Sequence, residues 1–173
     1  MRVVAGAFKG RRLSAPRGTR TRPTADRVRE ALFSMLGDVE GARVLDLFAG
    51  SGALGIEALS RGAACAVFVE RDARAAAAIE RNLAAVGADA RIARQDVSRF
   101  LGRDEGPYDL VFCDPPYDSA SRLAGTLAER LPALTSPDAR IVTESDKRNP
   151  LLLPFPLITE RAYGDTRIAI HEP

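Results

Sequence analysis

The stretch Val44-Leu45-Asp46-Leu47-Phe48-Ala49-Gly50-Ser51-Gly52-Ala53-Leu54-Gly55 decides the fold, because an apolar run passes into a glycine-rich turn and then into a helical pattern. Such a turn lets backbone N–H groups and a helix N-terminus approach a bound ligand, since glycine has no side chain to hold it off. The glycines match the G-x-G-x-x-G spacing of dinucleotide sites. A plain strand-to-helix connector has the same spacing, so the rest of the chain must distinguish the two.

Strand and helix patterns alternate from residue 43 onward, which predicts an α/β fold with helices on both faces of a mostly parallel sheet. The C-terminal part differs, because two β-like runs flank Gly164-Asp165, a tight hairpin signal. We therefore predict a Rossmann-like, mostly parallel seven-stranded sheet with a C-terminal antiparallel hairpin. The predicted strands are 43–47, 65–70, 90–93, 108–113, 139–144, 157–163 and 166–171, and the predicted helices in this part are 53–61, 73–86 and 120–131.

Composition and length narrow the class of protein. The chain has 173 residues, 46% of them hydrophobic and 28% charged, which is typical of one soluble domain. No apolar run reaches the roughly 18 residues of a membrane span. Cys65 and Cys113 lack metal-ligand spacing, so neither a zinc site nor a disulfide framework is indicated. We expect a cytoplasmic monomer with no metal and no membrane contact.

The N-terminal segment carries a concentrated positive charge. Residues 1–29 contain nine Lys or Arg and one acid, a net charge of +8 that leaves −6 for the remainder. This asymmetry favours a polyanion-binding arm, with a solvated arginine-rich tail as the alternative. The arm is predicted to form a small hairpin from 2–5 and 11–13, then a helix from Thr24 to Gly37. We predict an RNA-contacting arm and helix over 1–37 and a catalytic region over 38–173 within one structural domain; the candidate RNA contacts are Lys9, Arg11, Arg12, Arg20 and Arg22.

Three acidic residues at or shortly after the ends of predicted strands indicate the type of ligand. Asp46 precedes the glycine turn, where a carboxylate repels a pyrophosphate and attracts an ammonium or sulfonium. It therefore favours S-adenosylmethionine over a nicotinamide dinucleotide. Glu70 is placed to accept hydrogen bonds from a ribose diol, which either ligand offers. Asp96 is placed either to bind an adenine amino group or to cap a helix.

The second decisive stretch is Asp114-Pro115-Pro116-Tyr117, directly after an apolar strand. Each proline locks φ and lacks an N–H, so the segment leaves the sheet rigidly with carbonyl groups free of the ladder. The Asp114 carboxylate and a neighbouring carbonyl can accept both N–H bonds of an exocyclic base amine while Tyr117 stacks on the base. A rigid turn with a capping aspartate is the alternative interpretation.

These motifs resemble a known family. The glycine loop and the Asp-Pro-Pro-Tyr tetrad resemble motifs I and IV of S-adenosylmethionine-dependent amino-methyltransferases that act on nucleic acid. More narrowly, Arg22-Pro23-Thr24-Ala25-Asp26-Arg27-Val28-Arg29-Glu30 and Tyr163-Gly164-Asp165-Thr166 resemble the bacterial RsmD family, which methylates guanine N2 in small-subunit ribosomal RNA. The similarity runs over almost the whole chain. Ser34 stands where the family usually has Asn, and Tyr117 where some members have Phe.

The resemblance implies residue roles and a reaction without a covalent intermediate. Asp114 and the Pro115 carbonyl would hold the target amine, so Asp114, Pro115, Pro116 and Tyr117 are the candidate catalytic residues. Cys113 should point to the opposite face of its strand, which disfavours a cysteine nucleophile. The candidate site for S-adenosylmethionine, or its product S-adenosylhomocysteine, consists of Thr24, Arg27, Asp46, Phe48, Ala49, Gly50, Ser51, Gly52, Glu70, Arg71, Asp96 and Val97.

The predicted function is methyl transfer to guanine N2 of 16S ribosomal RNA, presented by an assembled small ribosomal subunit. An adenine-N6 amino-methyltransferase shares the loop and the tetrad, but such enzymes usually need a target-recognition region for which this chain has little room. A dinucleotide-binding oxidoreductase and a non-catalytic nucleotide-binding module are further alternatives. Asp46 and the terminal hairpin count against both.

Overall fold

The computed structural model describes residues 1–16, 26–104, 106–116 and 120–173, in which helices and strands alternate as predicted. The helices are α1 (Asp26–Leu36), α2 (Ala53–Ser60), α3 (Ala73–Val86), α4 (Val97–Leu101) and α5 (Ala120–Leu134). The strands are β1 (Arg43–Leu47), β2 (Cys65–Val69), β3 (Arg91–Ala93), β4 (Tyr108–Cys113), β5 (Thr135–Asp146), β6 (Leu157–Tyr163) and β7 (Thr166–His171).

One seven-stranded sheet has the order β3-β2-β1-β4-β5-β7-β6. The strands from β1 to β5 pair in parallel, whereas β7 pairs antiparallel with both β5 and β6. The predicted mostly parallel sheet with a terminal hairpin is therefore confirmed. From β1 the chain adds β2 and β3 on one side of the sheet. It then returns to β4, on the other side of β1, and adds the remaining strands there. Ligands of open α/β sheets bind at such a switch point, outside the carboxyl ends of the strands.

Alternating side chains of the strands form two hydrophobic clusters, one on each face of the sheet. Val44 of β1 packs in the first cluster, together with residues of α1, α2 and α3. Leu45 and Leu47 pack in the second cluster, together with residues of α4 and α5. The sheet is thus covered on both faces, which explains why its central strands are apolar at nearly every position.

Three elements differ from the sequence prediction: α4, α5 and β5, which covers Thr135–Asp146 where 139–144 was predicted. The helix α4 was anticipated only through the alternative role of Asp96 as a helix cap, because five residues are too few to show a helical period. It packs three apolar side chains into the second cluster, those of Val97, Phe100 and Leu101. The helix α5 continues to Leu134, beyond its predicted end, and includes Pro132. A proline so close to the end removes one hydrogen bond of the final turn, which costs less than a break in the middle.

The N-terminal residues form the predicted small hairpin, although its pairing is a single bridge between Arg2 and Arg12. The N–H of Val3 donates to the carbonyl of Arg11 at 3.0 Å, and both Val3 and Leu13 are buried in the first cluster. The hairpin is also held by Glu57 of α2. Residues 1–16 are therefore packed against the rest of the molecule.

The helix α1 packs on the same face of the sheet. Its apolar side chains Leu32, Phe33 and Leu36 are buried. Arg29 is also fully buried, where its guanidinium donates to Asp26 Oδ1 at 3.0 Å and to the carbonyl of Arg2. This positive charge of the arm therefore serves internal packing. Within the described part of the chain, no helix combines the length and apolar character needed to cross a membrane.

Candidate active site

The glycine-rich loop turns sharply at the carboxyl end of β1. Phe48, Gly50 and Gly52 all have positive φ, at 60°, 55° and 76° respectively. A non-glycine residue such as Phe48 adopts this conformation only where the surrounding structure enforces it, and such residues cluster at ligand sites. The N–H of Ala49 donates to the carbonyl of Val69 at 3.1 Å, which ties the loop to the end of β2.

Asp46 lies beneath this loop with 2% of its surface exposed. Its Oδ2 accepts the N–H of Gly55, in the first turn of α2, at 2.9 Å. Burial raises the pKa of Asp46 to about 8; the hydrogen bond from Gly55 opposes this shift and the nearby charge of Glu70 adds to it. A cation bound nearby would stabilise the ionised carboxylate. The geometry suits the predicted positively charged ligand.

Glu70 connects the end of β2 with the glycine loop. Its Oε2 accepts the N–H of Gly50 at 2.9 Å, and its Oε1 accepts the N–H of Asp72 at 2.8 Å. Each carboxylate oxygen has a further lone pair, so both remain able to accept a hydroxyl of a ligand. Its hydrogen bond to a ribose stays a prediction.

The Asp114-Pro115-Pro116 segment begins where β4 ends, beside the glycine loop. Because Leu47 and Cys113 are partners in the parallel register, the loop and this segment leave the sheet at the same level. Asp114 is partly buried. Burial raises the pKa of its carboxyl, and the charges of Glu144 and Asp46 raise it further. Two predicted halves of the site thus meet at the switch point of the sheet.

Cys113 is buried in the second cluster, whereas the preceding Phe112 packs in the first cluster on the other face of the sheet. Burial raises the pKa of its thiol far above the ordinary value, and the charges of Asp46 and Asp114 add to this shift. A reactive thiolate is therefore disfavoured at this position.

The other candidate residues occupy varied positions. Asp96 caps α4, since its Oδ1 accepts the N–H of Ser98 at 2.9 Å, and Val97 is buried in the second cluster. Arg27 and Arg71 are exposed. The candidate RNA contacts Lys9, Arg11 and Arg12 are exposed on the hairpin. The predictions for Arg20, Arg22, Thr24 and Tyr117 lie outside the described residues.

Asn82 of α3 links the hairpin to the glycine loop, a connection that the sequence reasoning missed. Its Oδ1 accepts the N–H of Ser14 at 2.8 Å, and its Nδ2 donates to the carbonyl of Ser51 at 2.8 Å. The sequence did contain a signal for this role: Asn82 is a polar residue on a helix face that is otherwise formed by Ile79, Leu83 and Val86. The end of the hairpin therefore lies against the candidate cofactor loop.

Glu144 is the second residue that the sequence reasoning missed. It lies within β5, two residues after the buried Val142 and level with Asp114, because the preceding residues Thr143 and Cys113 are register partners. It lines a narrow crevice together with Asp114 and Phe112. The signal available in the sequence was an acid at the end of the predicted strand 139–144.

Two further features bear on the chemistry. Among the residues that the structure describes, no group of three His, Cys, Asp or Glu side chains is arranged to hold a metal ion. A cavity of about 490 Å³ lies between the C-terminal end of α1, the start of β5 and the terminal hairpin, lined by Leu36, Arg140 and Ile158 among others. This cavity lies at the amino end of β5, whereas the candidate site lies at the carboxyl ends of the parallel strands.

Comparison with known proteins agrees with the motifs. A family model described as conserved hypothetical protein 95 matches residues 1–172. The chain belongs to this family. It is the RsmD family that the sequence motifs indicated. The chain is 40% identical over 182 residues to Bacillus subtilis YlbH, which is provisionally named as an rRNA methyltransferase, with 99% of this chain and 98% of that protein covered.

Two further relatives come from Escherichia coli. One is named ribosomal RNA small subunit methyltransferase D and is 44% identical over 119 residues, which are 68% of this chain and 60% of that protein. The other is a solved structure provisionally named as a methyltransferase, 34% identical with a TM-score of 0.84, covering 99% of this chain and 97% of that chain. The fold is accordingly that of the S-adenosylmethionine-dependent methyltransferases.

Proposed function

We propose that this chain transfers a methyl group from S-adenosylmethionine to the exocyclic N2 amine of a guanine in 16S ribosomal RNA, within the assembled small ribosomal subunit. The observation that carries the proposal is the meeting of the glycine loop with Asp114-Pro115-Pro116 at the neighbouring ends of β1 and β4. The name of the Escherichia coli relative supports a small-subunit rRNA substrate. The resemblance to the RsmD family supports the N2 of guanine.

The residues at the sheet edge fit this cofactor. Glu70 lies at the site, and the buried Asp46, whose pKa burial raises to about 8, ionises more readily when a sulfonium or ammonium lies beside it. Glycines at positions 50 and 52 keep side chains away from the loop, where the chain has positive φ. When bound, S-adenosylmethionine supplies an activated methyl group and remains as S-adenosylhomocysteine.

Asp114 and the proline segment prepare the acceptor. The Asp114 carboxylate accepts one N–H of the target amine, and the Pro115 carbonyl accepts the other. Two acceptors orient the nitrogen and oppose delocalisation of its lone pair into the base. The methylated nitrogen is cationic and loses its proton easily, so Asp114 acts mainly as a hydrogen-bond acceptor and needs no strong basicity.

The N-terminal region completes the proposed enzyme. In this assignment, residues 1–37 form an RNA-contacting extension of the catalytic region 38–173. The exposed Lys9, Arg11 and Arg12 contact phosphates, together with Arg20 and Arg22. The enzyme acts as a cytoplasmic monomer on folded RNA in the small subunit.

The direct test uses small subunits and protein-free 16S RNA that both lack the modification, with labelled S-adenosylmethionine. Nucleoside analysis and mass mapping should find N2-methylguanosine at one position, formed faster on assembled subunits. Label in N6-methyladenosine would identify the adenine alternative instead. Equal rates on free, unfolded RNA would contradict the assembled substrate.

The residue test is Asp114→Ala. We expect this variant to bind S-adenosylhomocysteine as the parent does and to lose about 100-fold or more in methyl transfer, a magnitude typical of removing one transition-state contact. Asp89→Ala, at an exposed position between α3 and β3, is the matched control and should keep full activity. Full activity of Asp114→Ala would contradict the mechanism.

A further inference from the structure

Glu144 lies next to Asp114 at the carboxyl edge of the sheet. The strands β4 and β5 are parallel neighbours, and Cys113 is the register partner of Thr143. The residues that follow, Asp114 and Glu144, are therefore level on strands about 4.8 Å apart. Both line the crevice that Leu54 of α2 and Phe112 of β4 also border.

The two carboxyl groups interact. After burial, the charge of Glu144 is the largest influence that raises the pKa of Asp114. Like charges held this close disfavour ionisation of both groups, so a ligand that donates hydrogen bonds to the pair relieves the repulsion. The carboxyl groups of Asp114 and Glu144 thus present two hydrogen-bond acceptors to one edge of a bound base.

Guanine has two neighbouring hydrogen-bond donors that can face the two carboxyl groups. Its N1–H and its N2 amine are adjacent on the Watson–Crick edge, so a base whose amine is held by Asp114 directs N1–H to one side. We propose that Glu144 accepts this N1–H and thereby makes the site specific for guanine. This inference rests on the proposed function, because it requires that Asp114 holds the amine.

The arrangement also accounts for rejection of adenine. Adenine has an unprotonated N1 beside its exocyclic amine, so its lone pair would face the Glu144 carboxylate. A site built to accept a hydrogen bond strongly rejects an analogue that lacks the donor, because its buried polar group is left unpaired. The discrimination between guanine and adenine then arises inside the catalytic site.

The test compares guanine with 2-aminopurine at the target position of 16S RNA assembled into small subunits. 2-Aminopurine keeps the amine at C2 and has a lone pair at N1 in place of N1–H. The parent protein should methylate guanine about 10-fold or more faster, as measured by kcat/KM, which is the effect of one hydrogen bond to a charged group. Equal rates on the two bases would overturn the inference, and this comparison does not depend on the folding of a variant.

The matching variant is Glu144→Gln, whose amide can either accept N1–H or donate to an unprotonated N1. We expect the guanine rate to fall about 10-fold and the preference over 2-aminopurine to shrink to within about 3-fold, while binding of S-adenosylhomocysteine is unchanged. Glu40→Gln, at an exposed position, is the control and should keep the parental preference. An unchanged preference in a folded Glu144→Gln protein would overturn the inference. Absence of guanine methylation by the parent protein would instead overturn the proposed function.

Discussion

Gly55 is the residue on which the geometry of the cofactor loop depends most directly. A Cβ at this position would lie 2.4 Å from Cε1 of Phe68 and 3.1 Å from Oδ2 of Asp46. The first distance is a severe overlap with an aromatic ring that is fully buried. The third glycine of the motif therefore allows α2 to pack closely on the sheet, and it places an N–H where Asp46 can accept it.

Gly55→Ala should consequently destabilise the protein by about 1–3 kcal/mol, the range for overpacking in a core, and weaken binding of S-adenosylhomocysteine. Urea denaturation and calorimetric titration measure the two effects. Gly125→Ala in α5 is the matched control, because a Cβ there meets nothing within 4 Å. The control should be stabilised by up to about 1 kcal/mol, as expected for replacing glycine in a helix. Equal stability of the two variants would contradict the packing argument.

At the scale of residues, unusual neighbours made the predicted role of an acid specific. Asp46 precedes glycines and Asp114 precedes prolines, so both were predicted as site residues, and the structure places them at neighbouring strand ends. Glu144 stands at the end of the predicted strand 139–144, which also contains Arg140 and Thr143, and no glycine or proline motif follows it, so it was missed. The positive φ of Phe48 was not predictable either, because a conformation enforced by surrounding structure leaves no mark on the residue itself.

At the scale of elements, Glu57 holds the N-terminal hairpin on α2. Its side chain is fully buried, and its carboxylate accepts the N–H of Val4 at 2.7 Å, the N–H of Ala5 at 2.9 Å and Nε of Arg61 at 2.9 Å. The hairpin itself has one bridge. Its position therefore depends on contacts with α2 and α3 more than on its own pairing.

Glu57→Ala should lower the free energy of unfolding by roughly 2–4 kcal/mol, because three partly buried donors lose their acceptor. Hydrogen exchange at the amides of Val4 and Ala5 should accelerate more than exchange in the central strands. Glu80→Ala, at an exposed position of α3, should change stability by less than about 0.5 kcal/mol. Protected amides at Val4 and Ala5 in Glu57→Ala would show that other contacts hold the hairpin.

Most strand and helix bounds were predictable because local chemistry determines them. The helix α3 begins after Asp72, which caps it, and is followed by Gly87 with φ 75°. The strands β6 and β7 flank a turn that contains Gly164. The attachment of the hairpin was not predictable, since the contacts of Glu57 join residues more than 50 positions apart. Periodicity contains no information about such pairs.

At the scale of the whole molecule, the order of strands brings separate motifs together. Alternation of elements predicted a parallel sheet, and the pairing of β1 with β4 brings the glycine loop beside Asp114. The hairpin then adds positive charge on the face of the sheet covered by α2 and α3. Arg11 and Arg12 are exposed there, while Arg29 is buried and paired. Arg29 therefore contributes no exposed positive charge to the arm.

This distribution of charge gives the last prediction. If the hairpin contacts phosphates, Arg11→Ala combined with Arg12→Ala should weaken binding to small-subunit RNA and reduce the slope of log K against log salt by about 1–2 units, close to one unit for each lost contact. Binding titrations at several salt concentrations measure this slope. Arg99→Ala combined with Arg103→Ala removes the same charge from α4 and the turn after it, where both arginines are exposed on the other side of the sheet. That control should leave the slope nearly unchanged. A similar decrease in both double variants would attribute the binding to net charge alone, and an unchanged slope in the hairpin variant would exclude Arg11 and Arg12 from the interface.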